Sequence, residues 1–302
     1  MSLPKLPDIY EVGPRDGFQN IKEFIPTKLK IEIIEKILDA GVKRVQITSF
    51  VSPRAVPQMS DAQEVAQSLV GKYPGVTFGA LVPNLYGARA AYQCGIREIA
   101  YVVSVSQSHN KANINRTHEQ SFEELEKIRQ EFPDMAIILG LATAFSCPFE
   151  GETPLEKTLS VMERGIKIGA NIVELADTIG DAYPTQVERY LKAAKREFPS
   201  MEFGAHIHDT RNMGMLNTWV ALQNGLNYIQ TSIGGLGGCP FAPGASGNTS
   251  TEDFVYLLDK CGLKSGISFD KILNTAKFVN AHISGSYSGH QINIGADDVC
   301  GA

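Results

Sequence analysis

The sequence predicts an α/β protein with a (β/α)8 TIM-barrel fold and a short helical extension at its C-terminus. Short runs rich in Val and Ile alternate along the chain with longer segments of helical periodicity. This alternation is the pattern of parallel strands joined by right-handed crossovers. Eight such strand–helix units favour a closed barrel over an open, doubly wound sheet.

The elements follow one another in regular order. We predict strands at residues 9–13, 44–48, 77–81, 98–103, 136–142, 172–175, 202–207 and 228–232. We predict helices at residues 28–40, 62–70, 85–93, 122–131, 155–168, 185–197, 213–223 and 271–281. Several of these helices are followed closely by glycine, the residue that most readily ends a helix: Gly41, Gly71, Gly95, Gly169 and Gly225. The first strand leads into no GxGxxG motif, which counts against a dinucleotide-binding fold.

Two segments make up the predicted chain organisation. Residues 5–262 form the barrel, the expected catalytic domain, and residues 263–302 form a C-terminal helix and polar tail packed on it. The net charge of −5 and the lack of a basic block argue against nucleic acid as a partner. No apolar run approaches the ~18 residues of a membrane span, and the N-terminus lacks a signal-peptide pattern.

The cysteines bear on the compartment. They are odd in number and widely scattered, which fits a reducing compartment and predicts a cytoplasmic protein: Cys94, Cys147, Cys239, Cys261 and Cys300. No CxxC pair marks a structural zinc site. We expect a small-molecule substrate, no nucleic-acid or membrane partner, and a homo-oligomer, as a dimer.

Polar residues collect where the predicted strands end, which in a barrel is the face that carries the chemistry. They come from six different strands, which indicates a shared site: Arg15, Asp16, Gln46, Thr48, Ser49, Ser104, Ser106, Gln107, Asp177, Thr178, His206, His208 and the loop that contains Cys239.

A metal site is predicted from the spacing of two histidines. His206 and His208 are two apart on a strand, so both side chains point to one face, which in a barrel is the lumen. Asp16 would add a carboxylate and Asn248 a neutral carbonyl oxygen. Two nitrogens and two oxygens suit Mg²⁺ or Mn²⁺. Tetrahedral Zn²⁺ with Cys239 as a ligand is the rival, and Zn²⁺ can also occupy such a site in crystals.

Residues 234–248 (GGLGGCPFAPGASGN) form the most unusual stretch, with many glycines and two prolines around one cysteine. Ordinary turns need one or two glycines. The run therefore indicates a mobile flap or a close approach of backbone to ligand. We expect Cys239 to be partly exposed and unpaired on that flap.

Eight motifs resemble those of the 3-hydroxy-3-methylglutaryl-CoA lyase family, over residues 9–262. They are 11–20 (EVGPRDGFQN), 48–53 (TSFVSP), 82–84 (VPN), 111–115 (KANIN), 147–150 (CPFE), 177–180 (DTIG), 206–210 (HIHDT) and 234–248. The wider superfamily, which includes isopropylmalate synthase and the carboxyltransferase domain of pyruvate carboxylase, consists of metal-dependent TIM barrels. The long glycine loop points to the lyase branch.

The resemblance implies roles for individual residues. Asp16, His206, His208 and Asn248 correspond to metal ligands, Arg15 to the cation that steadies an enolate, Cys239 to a flap thiol that donates or shuttles a proton, and Asp177 to a carboxylate near the site. Two alternatives stay open for Asp177: a structural ion pair with Arg15, or an N-cap. The implied reaction is a retro-Claisen cleavage of an acyl-CoA, assisted by a divalent metal.

The chain departs from the family in three segments. Gln46 and Gln107 stand where the family has carboxylates, and Glu174-Leu175-Ala176-Asp177 replaces the usual Ser-Leu-Gly-Asp. Gln46 should still accept a hydrogen bond from Arg15. Glu174 would compensate for Gln46 only from the lumen, and the three-residue offset from Asp177 argues against that orientation.

These departures leave three functions open. The first is a lyase for 3-hydroxy-3-methylglutaryl-CoA or a related 3-hydroxyacyl-CoA, slowed by Gln46 and improved by Gln46→Glu. The second is a condensing or carboxyltransferase enzyme of the same superfamily. The third is a metal- and CoA-binding homologue with weak catalysis.

Overall fold

The structure is a computed structural model that describes residues 4–238 and 247–294. The barrel strands are β1 (Asp8–Glu11), β2 (Arg44–Ser49), β3 (Thr77–Leu81), β4 (Glu98–Ser104), β5 (Ala136–Ala142), β8 (Ile172–Asp177), β9 (Glu202–Ile207) and β10 (Tyr228–Thr231). A small hairpin between them contributes β6 (Ser146–Cys147) and β7 (Gly151–Glu152). The helices are α1 (Thr27–Asp39), α2 (Ala62–Leu69), α3 (Leu85–Gln93), α4 (Gln107–Ile114), α5 (His118–Glu131), α6 (Leu155–Ile168), α7 (Pro184–Glu197), α8 (Gly214–Gln223), α9 (Thr251–Lys260) and α10 (Phe269–His282).

The eight main strands close into a parallel barrel in the order β1-β10-β9-β8-β5-β4-β3-β2. The predicted (β/α)8 fold is therefore confirmed. Because all strands run the same way, their carboxyl ends meet at one rim, where the predicted site residues lie. A bulge interrupts the pairing of β2 with β3 between Gln46 and Thr48.

Three local features differ from the sequence prediction. Helix α4 was not predicted because its polar sequence has almost no apolar face, yet the Ser106 hydroxyl caps it by accepting the N–H of His109. Helix α5 begins at His118, earlier than predicted, because Thr117 and Gln120 form a reciprocal capping box. The hairpin β6–β7 is too short to show a periodicity.

The barrel encloses a small core of its own, separate from the large one between strands and helices. It consists of Tyr10, Val12, Ile138, Ile172 and Tyr228. The rings of Tyr10 and Tyr228 lie 5.5 Å apart between centroids. The guanidinium of Arg44 lies 4.8 Å from the centre of the Tyr228 ring and pairs with Glu98. The bottom of the lumen is thus filled, and the open end is the rim.

The C-terminal extension forms helix α10, which packs against α1 and α9. The backbone N–H of Ser268, its N-cap, donates to the carbonyl of Ala40 just past α1. The predicted division of the chain at residue 262 stays a prediction. In the described part of the chain, no helix is both long and apolar enough to cross a bilayer.

Candidate metal centre and active site

A π-helical turn follows β1 at Gly13–Gly17 and carries Arg15 and Asp16. Such turns are rare and are found mostly at functional sites. Both side chains are buried, and Arg15 donates from Nη1 to Oδ1 of Asp16 over 2.5 Å. Gln19 donates to the same oxygen over 3.0 Å. Burial alone would raise the pKa of the Asp16 carboxyl, but Arg15 and the two site histidines outweigh it and lower that pKa to about 2.

The predicted orientation of the two histidines is confirmed. His206 ends up facing His208 inside the rim, with their Nε2 atoms 3.0 Å apart. Nε2 of His206 lies 4.0 Å from Oδ2 of Asp16. One ligand atom from each of these three residues lies within 4.8 Å of the other two.

The hydrogen bonds of the outer ring nitrogens fix the histidine tautomers. Nδ1 of His206 donates to Oε1 of Gln230 over 2.9 Å, and Nδ1 of His208 donates to the carbonyl of Thr178 over 2.7 Å. Each ring therefore presents the lone pair of its Nε2 to the other. Burial, followed by the charge of His208, lowers the pKa of His206 to about 4.

Asn248 completes the set from the far side of the glycine-rich stretch. Its Nδ2 donates to Oδ2 of Asp16 over 2.7 Å and to the carbonyl of Leu236 over 2.9 Å. These bonds leave Oδ1 as the free atom, buried and without a hydrogen-bond partner among residues 4–238 and 247–294. A Cβ at Gly237 would lie 2.2 Å from Nδ2 of Asn248, so only glycine fits there.

These residues fit a divalent metal ion. Two facing imidazole lone pairs, a carboxylate and an orphaned amide oxygen are all acceptors, and a cation satisfies them together. Asp16, His206 and His208 form the core of the donor set, as the sequence predicted, and Oδ1 of Asn248 is the fourth donor available.

Arg15 is held in place by the side chain of Gln46. Nε of Arg15 donates to Oε1 of Gln46, which confirms the contact expected from the sequence. Nε2 of Gln46 is buried and has no partner among the described residues. Because Gln46 is neutral, Asp16 is the only carboxylate within ion-pair distance of Arg15 in the described structure.

Asp177, at the end of β8, is a turn cap. Its carboxylate accepts the backbone N–H groups of Asp181 over 3.0 Å and of Ala182 over 3.2 Å. Burial raises its pKa to about 6. Within the described residues no ion pair joins it to Arg15, and Tyr183 is the N-cap of α7, so the structure shows neither of the two alternatives; Asp177 instead holds the turn before that helix.

Glu174 faces the lumen, and the sequence argument against this orientation was wrong. Along β8 the register pairs Glu174 with Gly204 and Ala176 with His206, so Glu174 shares a face with the lumen-facing His206. It is Asp177, paired with Ile207, that lies out of phase at the strand end. The three-residue spacing does place Glu174 and Asp177 on different faces of the strand, but it is Glu174 that faces the lumen.

Two further buried carboxyls brace the base of the glycine-rich stretch. Glu11 accepts the N–H groups of Gly13 and Ile233 and the hydroxyl of Thr251. Glu252 of α9 accepts the N–H of Gly234 over 3.0 Å. Burial raises the pKa of Glu11 to about 7 and that of Glu252 to about 8.

Sequence reasoning missed Gln230 and the two bracing glutamates. Gln230 could have been identified as a polar residue within a buried strand, Tyr228–Thr231 (YIQT). Cys239 lies outside the described residues.

The comparisons with known proteins agree with this geometry. The family model HMGL-like matches residues 7–279. The chain belongs to the HMGL-like family. It is 40% identical over 281 residues to the hydroxymethylglutaryl-CoA lyase YngG of Bacillus subtilis, covering 92% of this chain and 94% of that relative.

Solved structures of HMG-CoA lyases resemble this HMGL-like chain throughout. A Bacillus subtilis HMG-CoA lyase superposes with a TM-score of 0.92 at 38% identity, covering 97% of this chain and 99% of that one. An Acinetobacter baumannii HMG-CoA lyase in complex with coenzyme A and 3-methylmalate gives 0.91 at 33% identity, covering 98% and 97%.

Replacement of Gln230 should weaken metal binding. In Gln230→Leu, Nδ1 of His206 loses its acceptor, so the tautomer with a free Nε2 is no longer favoured. We expect Mn²⁺ affinity, measured by isothermal titration calorimetry, to fall by about 10- to 100-fold. Gln230→Glu keeps an acceptor at that position and should retain most of the affinity. Equal affinity for Gln230→Leu and the unaltered protein would contradict the role given to Gln230.

Glu252 should make the fold less stable as the pH rises. Its pKa is about 8 in the folded protein against an ordinary value of 4.5. Between these values the unfolded chain loses a proton that the folded protein keeps, so stability falls as pH increases from about 4.5 to about 8. Glu252→Gln removes this group and keeps an acceptor for Gly234. Urea unfolding at several pH values should show that the free energy of unfolding of the variant rises relative to that of the unaltered protein across this pH range. Parallel curves would contradict the assignment.

Proposed function

We propose that this HMGL-like protein is a metal-dependent carbon–carbon lyase that cleaves 3-hydroxy-3-methylglutaryl-CoA, or a close 3-hydroxyacyl-CoA, into acetyl-CoA and a keto acid. The observation that carries the proposal is the cluster of Asp16, His206 and His208 beside Arg15 at the barrel rim. The identity to hydroxymethylglutaryl-CoA lyases over most of the chain supports the substrate.

The proposed ion is Mg²⁺ or Mn²⁺, held by Asp16, His206, His208 and Asn248. A mixed set of imidazole, carboxylate and amide donors with room for substrate oxygens favours these ions over tetrahedral Zn²⁺. When bound, the ion acts as a Lewis acid that lowers the pKa of the substrate hydroxyl. Gln230 and Thr178 hold the two imidazoles in the ligating tautomer.

Arg15 is proposed to stabilise the enolate that leaves as the acyl-CoA half. Its guanidinium is fixed on one edge by Gln46 and on another by Asp16, so little reorganisation is needed when the charge develops. Arginine suits this task because it stays charged throughout the reaction.

Cys239 is proposed to give a proton to the enolate carbon. A thiol with a pKa near 8.5 can supply the proton and be recharged. Closure of the glycine-rich stretch over the rim would exclude water, and opening would release two products. For Asp177, the bonds to the 181–182 turn support a positioning role near His208 rather than direct participation.

The remaining parts of the proposal concern partners and compartment. The substrate is an acyl-CoA, no nucleic acid or membrane takes part, and the protein forms a homodimer. Free thiols at Cys94, Cys147 and Cys261 support a reducing, cytoplasmic setting. The lyase relatives favour cleavage over the condensing and carboxyltransferase alternatives.

The direct test is incubation of the protein with 3-hydroxy-3-methylglutaryl-CoA and Mg²⁺. We expect stoichiometric release of acetyl-CoA and acetoacetate, detected by coupled assay and mass spectrometry. Chelation of the metal should stop the release, and added Mg²⁺ or Mn²⁺ should restore it. Binding of the thioester without turnover would instead favour the catalytically weak homologue.

Cys239→Ser tests the thiol. A serine hydroxyl is a far weaker acid, so turnover should fall by about 10²–10⁴-fold. Metal affinity and thermal stability should stay at the level of the unaltered protein. Cys261→Ser, at the half-buried C-cap of α9, is the matched control. A folded Cys239→Ser variant with unchanged turnover would remove the thiol from the mechanism.

A further inference from the structure

Glu174 lies on the lumen face of β8, in a part of the wall where the ring of Tyr228 fills the space next to Gly204. Its register partners on the two neighbouring strands are both glycines, Gly140 on β5 and Gly204 on β9. A Cβ built at Gly140 would lie 3.6 Å from Oε1 of Glu174. The side chain is only 6% exposed, so its carboxyl group is directed into the lumen among the strands.

The carboxyl group of Glu174 has an oxygen with no donor. Oε2 is buried and makes no hydrogen bond within the described structure, and no cation of residues 4–238 or 247–294 lies within ion-pair distance of Glu174. The nearby buried carboxyls differ in this respect. Asp16 accepts from Arg15 and Asn248, and Asp177 accepts two backbone N–H groups.

An unpaired carboxyl in such a place is costly for folding. The charges of Arg15 and Asp16, just after β1, shift the pKa of the Glu174 carboxyl. The charge of Glu174 in turn helps to raise the pKa of Tyr228 on β10. Burial raises the pKa of Glu174 to about 8, and Arg15 offsets part of that rise. Near pH 8 both the carboxylate and the carboxylic acid are populated, so the group can take up a proton from a substrate and release it again.

Glu174 also lies across the lumen from Gln46. In the ring of eight strands, β8 and β2 are four places apart and therefore on opposite walls. Gln46 is neutral and already bonded to Arg15. Glu174 is thus the carboxyl near Arg15 that keeps an oxygen free for an incoming molecule.

We propose that Glu174 contacts the substrate directly and accepts the proton of its 3-hydroxyl group. This assignment rests on the proposed lyase function. It makes Glu174 a catalytic residue of this chain, placed on the wall of the barrel opposite Gln46.

The proton balance closes without a further reactant. The carboxylate of Glu174 takes the proton from the 3-hydroxyl oxygen, whose electrons form the carbonyl of the keto acid as the C2–C3 bond breaks. The electron pair of that bond goes to C2 of the acyl-CoA half, and C2 takes a proton from the thiol of Cys239. The proton on Glu174 then passes to solvent, and the thiolate takes a proton back from solvent, so no net proton is gained or lost.

The test compares turnover of 3-hydroxy-3-methylglutaryl-CoA at saturating Mg²⁺ in a small set of variants. Glu174→Gln keeps the shape and removes the basicity, so kcat should fall by about 10²–10⁴-fold while KM changes by only a few-fold. The double variant Glu174→Gln, Gln46→Glu should have a kcat at least about tenfold higher than that of Glu174→Gln alone, because the second change returns a carboxyl to the lumen beside Arg15. The same change in the unaltered protein should have a much smaller effect.

Glu98→Gln is the matched control. Glu98 is also a buried glutamate of a barrel strand, but its carboxylate pairs with Arg44 at the bottom of the lumen. Its variant should keep kcat within about threefold of the unaltered protein. Thermal melts of all variants check folding. Full turnover in Glu174→Gln, or a large gain from Gln46→Glu alone, would overturn the assignment of Glu174.

A second measurement separates this assignment from the proposed function. If the unaltered protein does not cleave the thioester, the proposed function fails, and a crystal structure with Mg²⁺ and the intact thioester then tests Glu174 alone. We expect a carboxyl oxygen of Glu174 within about 3.2 Å of the 3-hydroxyl oxygen. A bound acyl group that Glu174 does not touch would overturn the assignment. The Glu174→Gln variant offers a second crystal in which slow turnover preserves the substrate.

Discussion

Closure of the barrel between β1 and β10 is the constraint on which the site depends. The two strands pair in parallel from Asp8 with Tyr228 to Glu11 with Thr231, and β10 pairs in turn with β9. This register brings the turn that carries Asp16 beside His206, which lies far away in the sequence. A slip by one residue would move every side chain of a strand to the other face and separate the ligands.

Two glutamines connect the functional side chains to the wall of the barrel. Gln230 joins His206 to the hydroxyl of Tyr228, and Gln46 holds Arg15. A glutamine side chain suits these positions because it accepts and donates at once and adds no charge near the proposed metal ligands. The imidazoles and the guanidinium are therefore oriented before any ligand arrives, which is the condition for effective electrostatic stabilisation.

The base of the glycine-rich stretch is fixed by two buried carboxyl groups together with the apolar packing of Ile233 and Leu236. Glu11, on β1, accepts hydrogen bonds from Ile233 and Thr251, which follow β10 in the chain. Glu252 accepts one from Gly234. Glycines at 234, 235 and 237 have positive φ, so the backbone turns sharply and approaches Asn248 closely. A side chain at Gly237 would displace Asn248 from Asp16, whereas side chains at Gly234 and Gly235 would meet Tyr287 and Ser288, which explains why the stretch needs glycine at its start.

The sequence by itself determined the fold class, the metal-binding residue types and the contact between Gln46 and Arg15. Strand and helix periodicity is local, and the i, i+2 spacing of His206 and His208 holds in any strand. Only the tertiary structure decided which side chains of a strand face the lumen and which side chains of other strands they contact. Whether Glu174 or Asp177 enters the lumen follows from the register of β8 against β9. The selection of one imidazole tautomer depends on Gln230, which reaches His206 only because β10 lies next to β9. The sequence of one strand does not show which of its side chains face the lumen, nor which strand lies beside it in the barrel.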